Sequence, residues 1–324
     1  MKLLVTGANG FVGSHVAERL VAQGHELRLL LRRTSLIENI VGLEYERHDG
    51  DLRVPESLED AVRGVEVVVH LGGVTSARTG AEYMAANGHG TESLVKAAIE
   101  AGVRRFVYVS SLAAHGPSPD GAPRPLDAPG RPLTAYGRSK LEGEAATLAA
   151  REQMSVAVVR PPAVYGPRDK AMLPLYKIAR TGVLPVIGDG RYVVSFVHAY
   201  DMADVITTVS LAEGPSGGIY TAEDGTPHTW REMVKAYGDA IDKRVLCLPT
   251  PVALYAGAGY AVGLVSLLTR RALPLSPEEV TNMRQRYWVC DSAAMTRDFG
   301  WRPSIGIEEG MRTTVAWCRE RGWL

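Results

Sequence analysis

The first twenty residues, MKLLVTGANGFVGSHVAERL, constrain the fold of this chain more than any other segment. Residues 3–5 form an apolar run that suits a buried strand, whereas Val12, Val16 and Leu20 share one face of a helix. The sequence therefore predicts a strand that turns sharply into a helix.

Three glycines occupy that turn, and each missing side chain has a use. Gly7 permits the bend, Gly10 lets the backbone approach a ligand, and Gly13 lets the helix pack close to the strand. The N–H groups at the start of the helix then favour a phosphate. Because such turns also occur without a ligand, binding needs support from the rest of the chain.

Composition limits the class of protein. With 324 residues, the chain exceeds the usual length of one domain, about 100–200 residues. Its 36 acidic and 36 basic side chains balance, which argues against a nucleic-acid partner. The three cysteines are dispersed and the eight histidines lack metal-ligand spacing, so neither a disulfide framework nor a metal site is predicted. Reduced thiols and an N-terminus without a signal peptide predict a cytoplasmic protein.

Apolar runs alternate with helical patterns through the first half of the chain. Candidate strands lie at 26–31, 43–47, 65–70, 105–110 and 155–160, and candidate helices at 55–63, 81–101 and 135–152. This alternation predicts an α/β fold, a Rossmann-type doubly wound parallel sheet with helices on both faces. Glycine- and proline-rich joints interrupt the rhythm later. We predict a nucleotide-binding domain at 1–165 and a smaller α+β substrate-binding lobe at 166–324, with some of its elements returning to the sheet.

A polar cluster follows the predicted strand at 105–110. VYVSSLAAHG ends that strand in two serines, and AYGRSK places Tyr136 and Lys140 four residues apart on one helix face. An ammonium beside a phenol lowers the phenol's pKa from its usual value of about 10. Tyr136 can then exchange a proton with a substrate oxygen that Ser111 holds. A surface pair without function is the alternative for a tyrosine and a lysine at this spacing.

The motifs of the chain, taken together, resemble a known family. TGANGFVG, HDGDL, HLGG, VYVSSLAAHG, YGRSK, RPPAVYGP, FVHAYDMAD and FGWRPSIGIEEGM are similar, in order, to those of the extended short-chain dehydrogenases/reductases, the NAD-dependent epimerase/dehydratase superfamily. The resemblance spans nearly the whole chain and is strongest to the 3β-hydroxysteroid dehydrogenase-like and dihydroflavonol reductase-like branch. It implies an NAD(P)-dependent oxidoreductase with Ser111, Tyr136 and Lys140 as its catalytic residues.

The same resemblance implies which residues bind the ligands. The implied cofactor-binding residues are Gly7, Gly10, Phe11, Val12, Gly13, Arg32, Asp51, Leu52, Leu71, Gly72, Gly73, Asn87, Lys140 and Pro161. The implied substrate-binding residues are Thr75, Ala113, His115, Val164 and Tyr165.

The chain departs from the family pattern at two places. Gly72-Gly73 replaces the usual Ala-Ala, and His115 replaces the usual tyrosine before Gly116. Neither change removes a catalytic group. His115 is interpreted either as facing the substrate or as a partly exposed packing residue.

The end of the second predicted strand, HELRLLLRRTS, bears on the choice of cofactor. NAD enzymes of this type usually place an acid there for the ribose diol, but Leu31 occupies that place and Arg32 and Arg33 follow. Arg32 resembles the arginine of NADP-dependent dihydroflavonol-reductase-like members. Because a guanidinium binds a 2′-phosphate bidentately, NADP(H) is favoured, with NAD(H) as the alternative. The competing interpretation is that both arginines are solvated loop residues.

One strand bears on the substrate. Nucleotide-sugar members of the family commonly carry an arginine that grips the diphosphate, in the strand ending in Phe-Val-His. In GRYVVSFVHAYD the corresponding residue is Val194, and Arg191 points elsewhere if the segment is extended. This substitution favours a substrate without a diphosphate.

Residues 247–269, CLPTPVALYAGAGYAVGLVSLLT, contain no charged side chain. Their length nearly matches the roughly 20 apolar residues of a membrane span, although Pro249 and Pro251 weaken that interpretation. We predict a helix packed in the lobe or at a dimer contact, or else an interfacial segment with peripheral membrane contact through 252–268.

The sequence thus predicts an NADP(H)-dependent oxidoreductase that interconverts a secondary alcohol and a ketone on a largely apolar, steroid-, lipid- or polyketide-like substrate. An NAD-dependent nucleotide-sugar epimerase/dehydratase is one alternative. A non-catalytic NADP(H)-binding sensor or scaffold is an alternative of another class. The resemblance also implies a homodimer formed through the helices at 81–101 and 135–152.

Overall fold

The computed structural model describes residues 1–254, 257 and 277–324. The strands are β1 (Lys2–Thr6), β2 (Glu26–Leu31), β3 (Glu46–Asp49), β4 (Val67–His70), β5 (Arg105–Val109), β6 (Ser155–Val159), β7 (Ala163–Tyr165), β8 (Val183–Ile187), β9 (Val193–Val194), β10 (Phe196–His198), β11 (Gly218–Tyr220), β12 (His228–Thr229), β13 (Leu246–Thr250) and β14 (Tyr287–Trp288).

The helices are α1 (Phe11–Ala22), α2 (Glu56–Val62), α3 (Gly80–Tyr83), α4 (Gly90–Glu100), α5 (Leu112–His115), α6 (Ala135–Ala149), α7 (Leu173–Ala179), α8 (Ala199–Leu211), α9 (Trp230–Ala240), α10 (Pro277–Met283), α11 (Ala293–Phe299) and α12 (Ile307–Glu320). A 3₁₀ turn spans Glu38–Ile40, and a π-helical segment, Met84–His89, joins α3 to α4.

Seven of the described strands form one parallel sheet in the order β11-β6-β5-β4-β1-β2-β3. The chain runs from β1 outward to β3 and then crosses to β4 on the other side of β1. The strand order therefore reverses between β1 and β4, and a crevice forms where both strands end. Ligands of doubly wound sheets bind in such a crevice. The α/β fold predicted from the sequence is confirmed.

The apolar run of β1 supplies two separate cores. Leu3 and Val5 pack in a cluster with residues of α1 and α8, whereas Leu4 packs with residues of α2 and α4 on the opposite face. Successive strand residues point to opposite faces, so a strand covered on both sides needs an unbroken apolar run.

The residues after β6 build a third core. Three short sheets, β10-β7, β12-β9-β14 and β13-β8, pack with α7, α9 and α12 around it. Its centre includes Tyr176 and Tyr237, whose rings stack with centroids 4.8 Å apart. The second half of the chain thus forms a lobe beside the carboxyl edge of the large sheet.

Two elements of the second half pack with the large sheet rather than with the lobe. Helix α8 packs against α1, and β11 pairs with β6 to complete the sheet edge. Helix α11 then contacts α8 and β11, while α12 returns to α9 in the lobe. The chain therefore passes repeatedly between the sheet and the lobe.

The third strand lies later than the sequence indicated. It was expected at 43–47, but β3 spans Glu46–Asp49. Leu43 and Tyr45, which suggested the strand, pack against the core from the preceding loop. Because β3 is a polar edge strand, its position does not show in the hydropathy pattern.

The uncharged segment 247–269 is described only in part. Its start forms most of β13, whereas residues 255, 256 and 258–276, and with them most of the proposed contact at 252–268, lie outside the described residues. None of the helices within the described ranges combines the length and the apolar character needed to cross a membrane.

Candidate active site

The glycine turn brings three backbone segments unusually close. Gly7 has φ +72°, and a β-carbon on it would lie 2.8 Å from the backbone nitrogen of Gly72. A β-carbon on Gly13 would lie 2.1 Å from the carbonyl oxygen of Gly7. Only glycine fits at these two positions without moving the backbone, and α1 therefore starts directly beside the crevice.

The start of α1 suits a pyrophosphate. Gly10 precedes Phe11 and Val12 and makes no side-chain cap, and the first turn carries no acidic residue. The N–H groups of that turn are therefore available to an anion, which the helix dipole also favours. These backbone groups fit the pyrophosphate of a nicotinamide dinucleotide.

The paired glycines after β4 lie against two polar side chains. The N–H of Gly72 donates to Thr6 Oγ1 over 2.8 Å, and a β-carbon on Gly72 would lie 2.7 Å from that oxygen. On Gly73, a β-carbon would lie 2.5 Å from Asn87 Oδ1. Glycine replaces the usual alanines at 72 and 73 because Thr6 and Asn87 occupy the space that a methyl group would need. The backbone of Leu71 and Gly72 also contacts Gly7.

Asn87 lies in the π-helical segment and is buried. Its Oδ1 accepts a hydrogen bond from the N–H of Val74 at 2.8 Å, and its Nδ2 donates to the carbonyl of Val74 and to Ser139 Oγ. Asn87 thus fastens the loop after β4 to α6. Single π turns of this kind are frequent at functional sites.

Exposed arginines follow β2, where the adenosine ribose of a dinucleotide binds in this fold. The Arg32 guanidinium is exposed and makes no hydrogen bond or salt bridge with any part of the chain that the structure describes. Arg33 lies 3.7 Å from Asp49. Asp51 is engaged by Arg53 at 2.6 Å, and this hydrogen bond, assisted by the charge of Arg32, lowers the pKa of the Asp51 carboxyl.

Ser111 and Tyr136 come from different elements. Ser111 follows β5 and caps α5, where its Oγ accepts a hydrogen bond from the N–H of Ala113 at 3.1 Å. Tyr136 lies in the first turn of α6, which the hydroxyl of Thr134 caps. The Tyr136 ring is half-buried and lies edge-on to Tyr83, with 5.9 Å between centroids.

Lys140 lies one turn after Tyr136 on α6 and is 5% exposed. Its Nζ donates to the carbonyl of Val109 at 2.8 Å and lies 4.6 Å from the centre of the Tyr108 ring. Burial lowers the pKa of Lys140 to about 8, and the carboxylate of Glu144 acts in the opposite direction. The ammonium is therefore held beside the end of β5 and can lose its proton in mildly basic solution.

A cavity of about 400 Å³ opens beside Ser111. Leu184 and Val186 of β8, Val194 of β9 and Trp230 of α9 are among the residues that line it. None of the lining residues within the described part of the chain is charged. Its volume lies within the range of small-molecule sites, about 300–1,000 Å³.

Of the implied ligand-binding residues, Ala113 and Pro161 line this cavity. Thr75 is exposed in the loop after β4, and Val164 packs against the core shared by α1 and α8. Tyr165 is buried between Phe196 and His198 in the lobe, and this burial raises the pKa of its hydroxyl.

His115 lies in a separate, buried environment. Its Nδ1 is 2.6 Å from Nη1 of Arg160, and it borders a small second cavity with Cys290 and Thr221. Because a guanidinium can only donate, Nδ1 accepts this bond and the ring proton sits on Nε2. Burial and the charge of Arg160 lower the pKa of His115 to about 4. The ring is therefore neutral at ordinary pH.

Arg160 and Glu144 form a buried ion pair that the sequence analysis missed. Arg160 Nε and Nη2 donate to the Glu144 carboxylate at 2.9 and 2.7 Å, and the two side chains are 4% and 2% exposed. Ser110 Oγ donates to the same carboxylate at 2.6 Å. The pair joins α6, which carries Lys140, to the end of β6. The hydrogen bond from Ser110 connects the same carboxylate to the end of β5, next to Ser111. The four-residue spacing from Tyr136 to Lys140 to Glu144 was the available signal.

The fold and this arrangement define the class of protein: a dinucleotide-dependent oxidoreductase built on a doubly wound sheet. The model of the NAD dependent epimerase/dehydratase family matches residues 3–222. The chain belongs to this family, the extended short-chain dehydrogenases/reductases, and the predicted family and enzyme class are confirmed. Membership implies an NAD(P) cofactor, which the glycine turn fits.

Named relatives fall into more than one branch. The chain is 34% identical to a ceramide reductase of Caulobacter vibrioides, over 99% of this chain and 95% of the relative. It is 30% identical to a 2-alkyl-3-oxoalkanoate reductase of Stenotrophomonas maltophilia, over 98% of this chain and 99% of that protein. A solved UDP-glucose 4-epimerase of Thermus thermophilus in complex with NAD matches with a TM-score of 0.77 at 25% identity, over 98% of this chain and 99% of the epimerase.

The buried ion pair leads to a stability prediction. Arg160→Met should lower the free energy of unfolding by about 3–5 kcal/mol, because Glu144 then stays buried without its counter-ion. The double variant Arg160→Met/Glu144→Leu should recover most of that loss, as measured by urea unfolding. The exposed pair Arg63–Asp60 provides the control, since Arg63→Met should cost no more than about 1 kcal/mol. A single variant as stable as the native chain would contradict the prediction.

Proposed function

We propose that the protein is an NADP(H)-dependent oxidoreductase that interconverts a ketone and a secondary alcohol on a largely apolar substrate. The observation that carries this proposal is the cavity beside Ser111, whose described lining contains no charged side chain. An anionic substrate would lose its hydration there without gaining an ion pair, which is costly. The similarity to a ceramide reductase supports a lipid-like ketone.

The lining also argues against a sugar diphosphate. Val194, at the position where nucleotide-sugar enzymes commonly carry an arginine, faces the cavity. Arg191 is 71% exposed, does not line the cavity and lies 3.6 Å from Asp189. The described residues therefore offer no cation to a diphosphate in this cavity.

In the proposed reaction each residue has a separate task. The nicotinamide, when bound, supplies or accepts the hydride. During reduction, Ser111 Oγ holds the carbonyl oxygen and the Tyr136 hydroxyl gives that oxygen a proton. The Lys140 ammonium stabilises the negative charge that develops on Tyr136. During oxidation the proton returns to Tyr136.

The preference for NADP(H) rests on Arg32. Its guanidinium is exposed beyond β2 and has no hydrogen-bonding partner in the described parts of the chain, and Leu31 leaves no carboxylate at the strand end. A ribose 2′-phosphate would gain a charge-assisted, bidentate contact there.

The proposal is tested first by identifying the cofactor and the reaction. Protein purified without added nucleotide is denatured, and any released nicotinamide is identified by chromatography. We expect a site that fills with NADPH in preference to NADH, and NADPH oxidation with long-chain 3-oxo esters. Tightly held stoichiometric NAD, together with interconversion of UDP-glucose and UDP-galactose, would overturn the proposal in favour of an epimerase. NADPH binding without reduction of any ketone would favour a sensor.

Tyr136→Phe should lower kcat for ketone reduction by about 10²–10⁴-fold, because the proton donor is lost while the ring remains. The dissociation constant for NADPH, measured by fluorescence titration, should change little. Tyr83→Phe is the matched control, because it removes a neighbouring hydroxyl from the edge-on ring pair. Normal turnover by the Tyr136 variant would refute the assignment.

The buried lysine predicts a pH dependence. Lys140 has a pKa of about 8, so its charge is present below that pH and is lost above it. The kcat for ketone reduction should therefore fall as the pH rises through about 8. In Lys140→Arg the charge persists, so the falling limb should move to higher pH. An unchanged limb in a folded variant that binds NADPH would contradict this role.

Arg32→Ala should raise KM for NADPH by about tenfold or more and leave KM for NADH nearly unchanged, because only NADPH carries the 2′-phosphate. Steady-state kinetics with both cofactors measure the ratio. Arg63→Ala, an exposed arginine paired with Asp60, is the control for a general loss of positive charge. An equal rise in KM for NADPH and for NADH would show that Arg32 does not bind the 2′-phosphate.

A further inference from the structure

One face of the lobe combines exposed leucines with exposed cations. Leu246 and Leu248 of β13 are each 53% exposed, and Leu254 is 65% exposed. Val183 of β8, which pairs in register with Leu246, is 38% exposed, and Ile178 of α7 is 45% exposed. We call these five residues the lobe patch. Leu246, Leu248 and Val183 lie together on the paired strands β13 and β8, and exposed apolar surface of this kind marks an interaction site.

Four exposed cations border the lobe patch: Lys177, Arg180, Lys243 and Arg244. Two hydrogen bonds hold their loops together, since Lys243 Nζ donates to the carbonyl of Arg180 at 2.6 Å and Leu246 N donates to the carbonyl of Gly182 at 2.9 Å.

The charge around the lobe patch is strongly one-sided. Across the ranges that the structure describes, none of the four cations forms a salt bridge. The nearby acids are Asp242, which is exposed, and Asp239, which Lys235 already engages at 2.6 Å. The border therefore has a net positive charge that suits an anionic surface.

The lobe patch is continuous with the cavity through a single strand. On β8, Val183 belongs to the patch, and the next residues, Leu184 to Ile187, line the cavity. Met283 also lines the cavity while remaining 39% exposed. The strand that contributes Val183 to the patch therefore also lines the cavity, and none of its residues, Val183–Ile187, is charged.

We propose that the lobe patch docks on an anionic lipid bilayer, with the leucines inserted between lipids and the four cations at the phosphate level. This arrangement follows the rule for peripheral binding, in which apolar insertion and basic side chains act together. We also propose that the cavity receives its ketone from the bilayer, and this step rests on the proposed function. The bilayer then serves as the reservoir from which the substrate enters along β8.

Vesicle sedimentation tests the docking. The intact protein should bind phosphatidylcholine vesicles that contain phosphatidylglycerol, bind pure phosphatidylcholine far less, and dissociate as salt is added. Leu246→Glu/Leu248→Glu should reduce the bound fraction by about tenfold or more, because it removes two apolar side chains that insert into the bilayer and adds two negative charges that the anionic lipids repel. Lys177→Gln/Arg244→Gln should lower the affinity by about fivefold for each charge removed.

The matched control is Val41→Glu/Val54→Glu, which adds two acids at exposed valines of the nucleotide-binding part, 74% and 47% exposed. This control should bind vesicles as the native chain does. If the control and the leucine variant lose binding equally, net charge alone explains the effect and the docking face is wrong. Native protein that does not bind anionic vesicles also overturns the proposal.

An activity measurement separates this proposal from the proposed function. The leucine variant should reduce a water-soluble ketone at the native rate and should lose at least about tenfold on a long-chain ketone embedded in anionic vesicles. Native protein that reduces soluble ketones but ignores vesicles refutes the docking alone. Native protein that binds vesicles but reduces no ketone refutes the proposed function alone. A dimer that the leucine substitutions convert to monomers would assign the face to a second copy of the chain.

Discussion

The close approach of three backbone segments at the carboxyl edge of the sheet is the constraint on which the site depends. Gly7, Gly13 and Gly72 leave no space for side chains where β1, α1 and the end of β4 meet. This contact fixes the start of α1 over the crevice and sets the position of the loop that Asn87 fastens to α6. An added methyl group here would displace the start of α1 and the loop that contacts α6 together, because close-packed interiors transmit strain.

Three charged side chains are buried in the interior beside that edge. Lys140, Glu144 and Arg160 are all nearly inaccessible to water, and each is compensated by a carbonyl, a hydroxyl or an opposite charge. Removing such groups from water is costly unless every donor and acceptor is satisfied. The benefit is orientation, because the planar, bidentate contact of Arg160 with Glu144 fixes α6 relative to the end of β6, and the Ser110 hydrogen bond connects it to the end of β5. His115 extends the same network to the far side of Arg160.

The elements of this molecule that could be predicted from the sequence are those with a pattern inside a single segment. The glycine turn follows from spacing within one segment. The roles of Ser111, Tyr136 and Lys140, which follow from spacing and a family resemblance, stay a prediction. The position of strand β3 was not predicted correctly, because a polar edge strand has no apolar pattern in the sequence. The Glu144–Arg160 ion pair was not predicted because it joins a helix to the end of a strand, and a contact between distant segments leaves no local pattern in the sequence. The cavity escaped for the same reason, since β8, β9 and α9 supply its walls.

The position of β11 at the sheet edge has a consequence for how the chain folds. Gly218–Tyr220 pairs with β6, but all of β7 to α8 lies between the two strands in the sequence. During synthesis, the nascent sheet therefore ends in an open β6 edge until the first part of the lobe has been made. Such an edge is a template for wrong pairing with other chains. The β6 edge is therefore covered only after β11 has been synthesised and has paired with it.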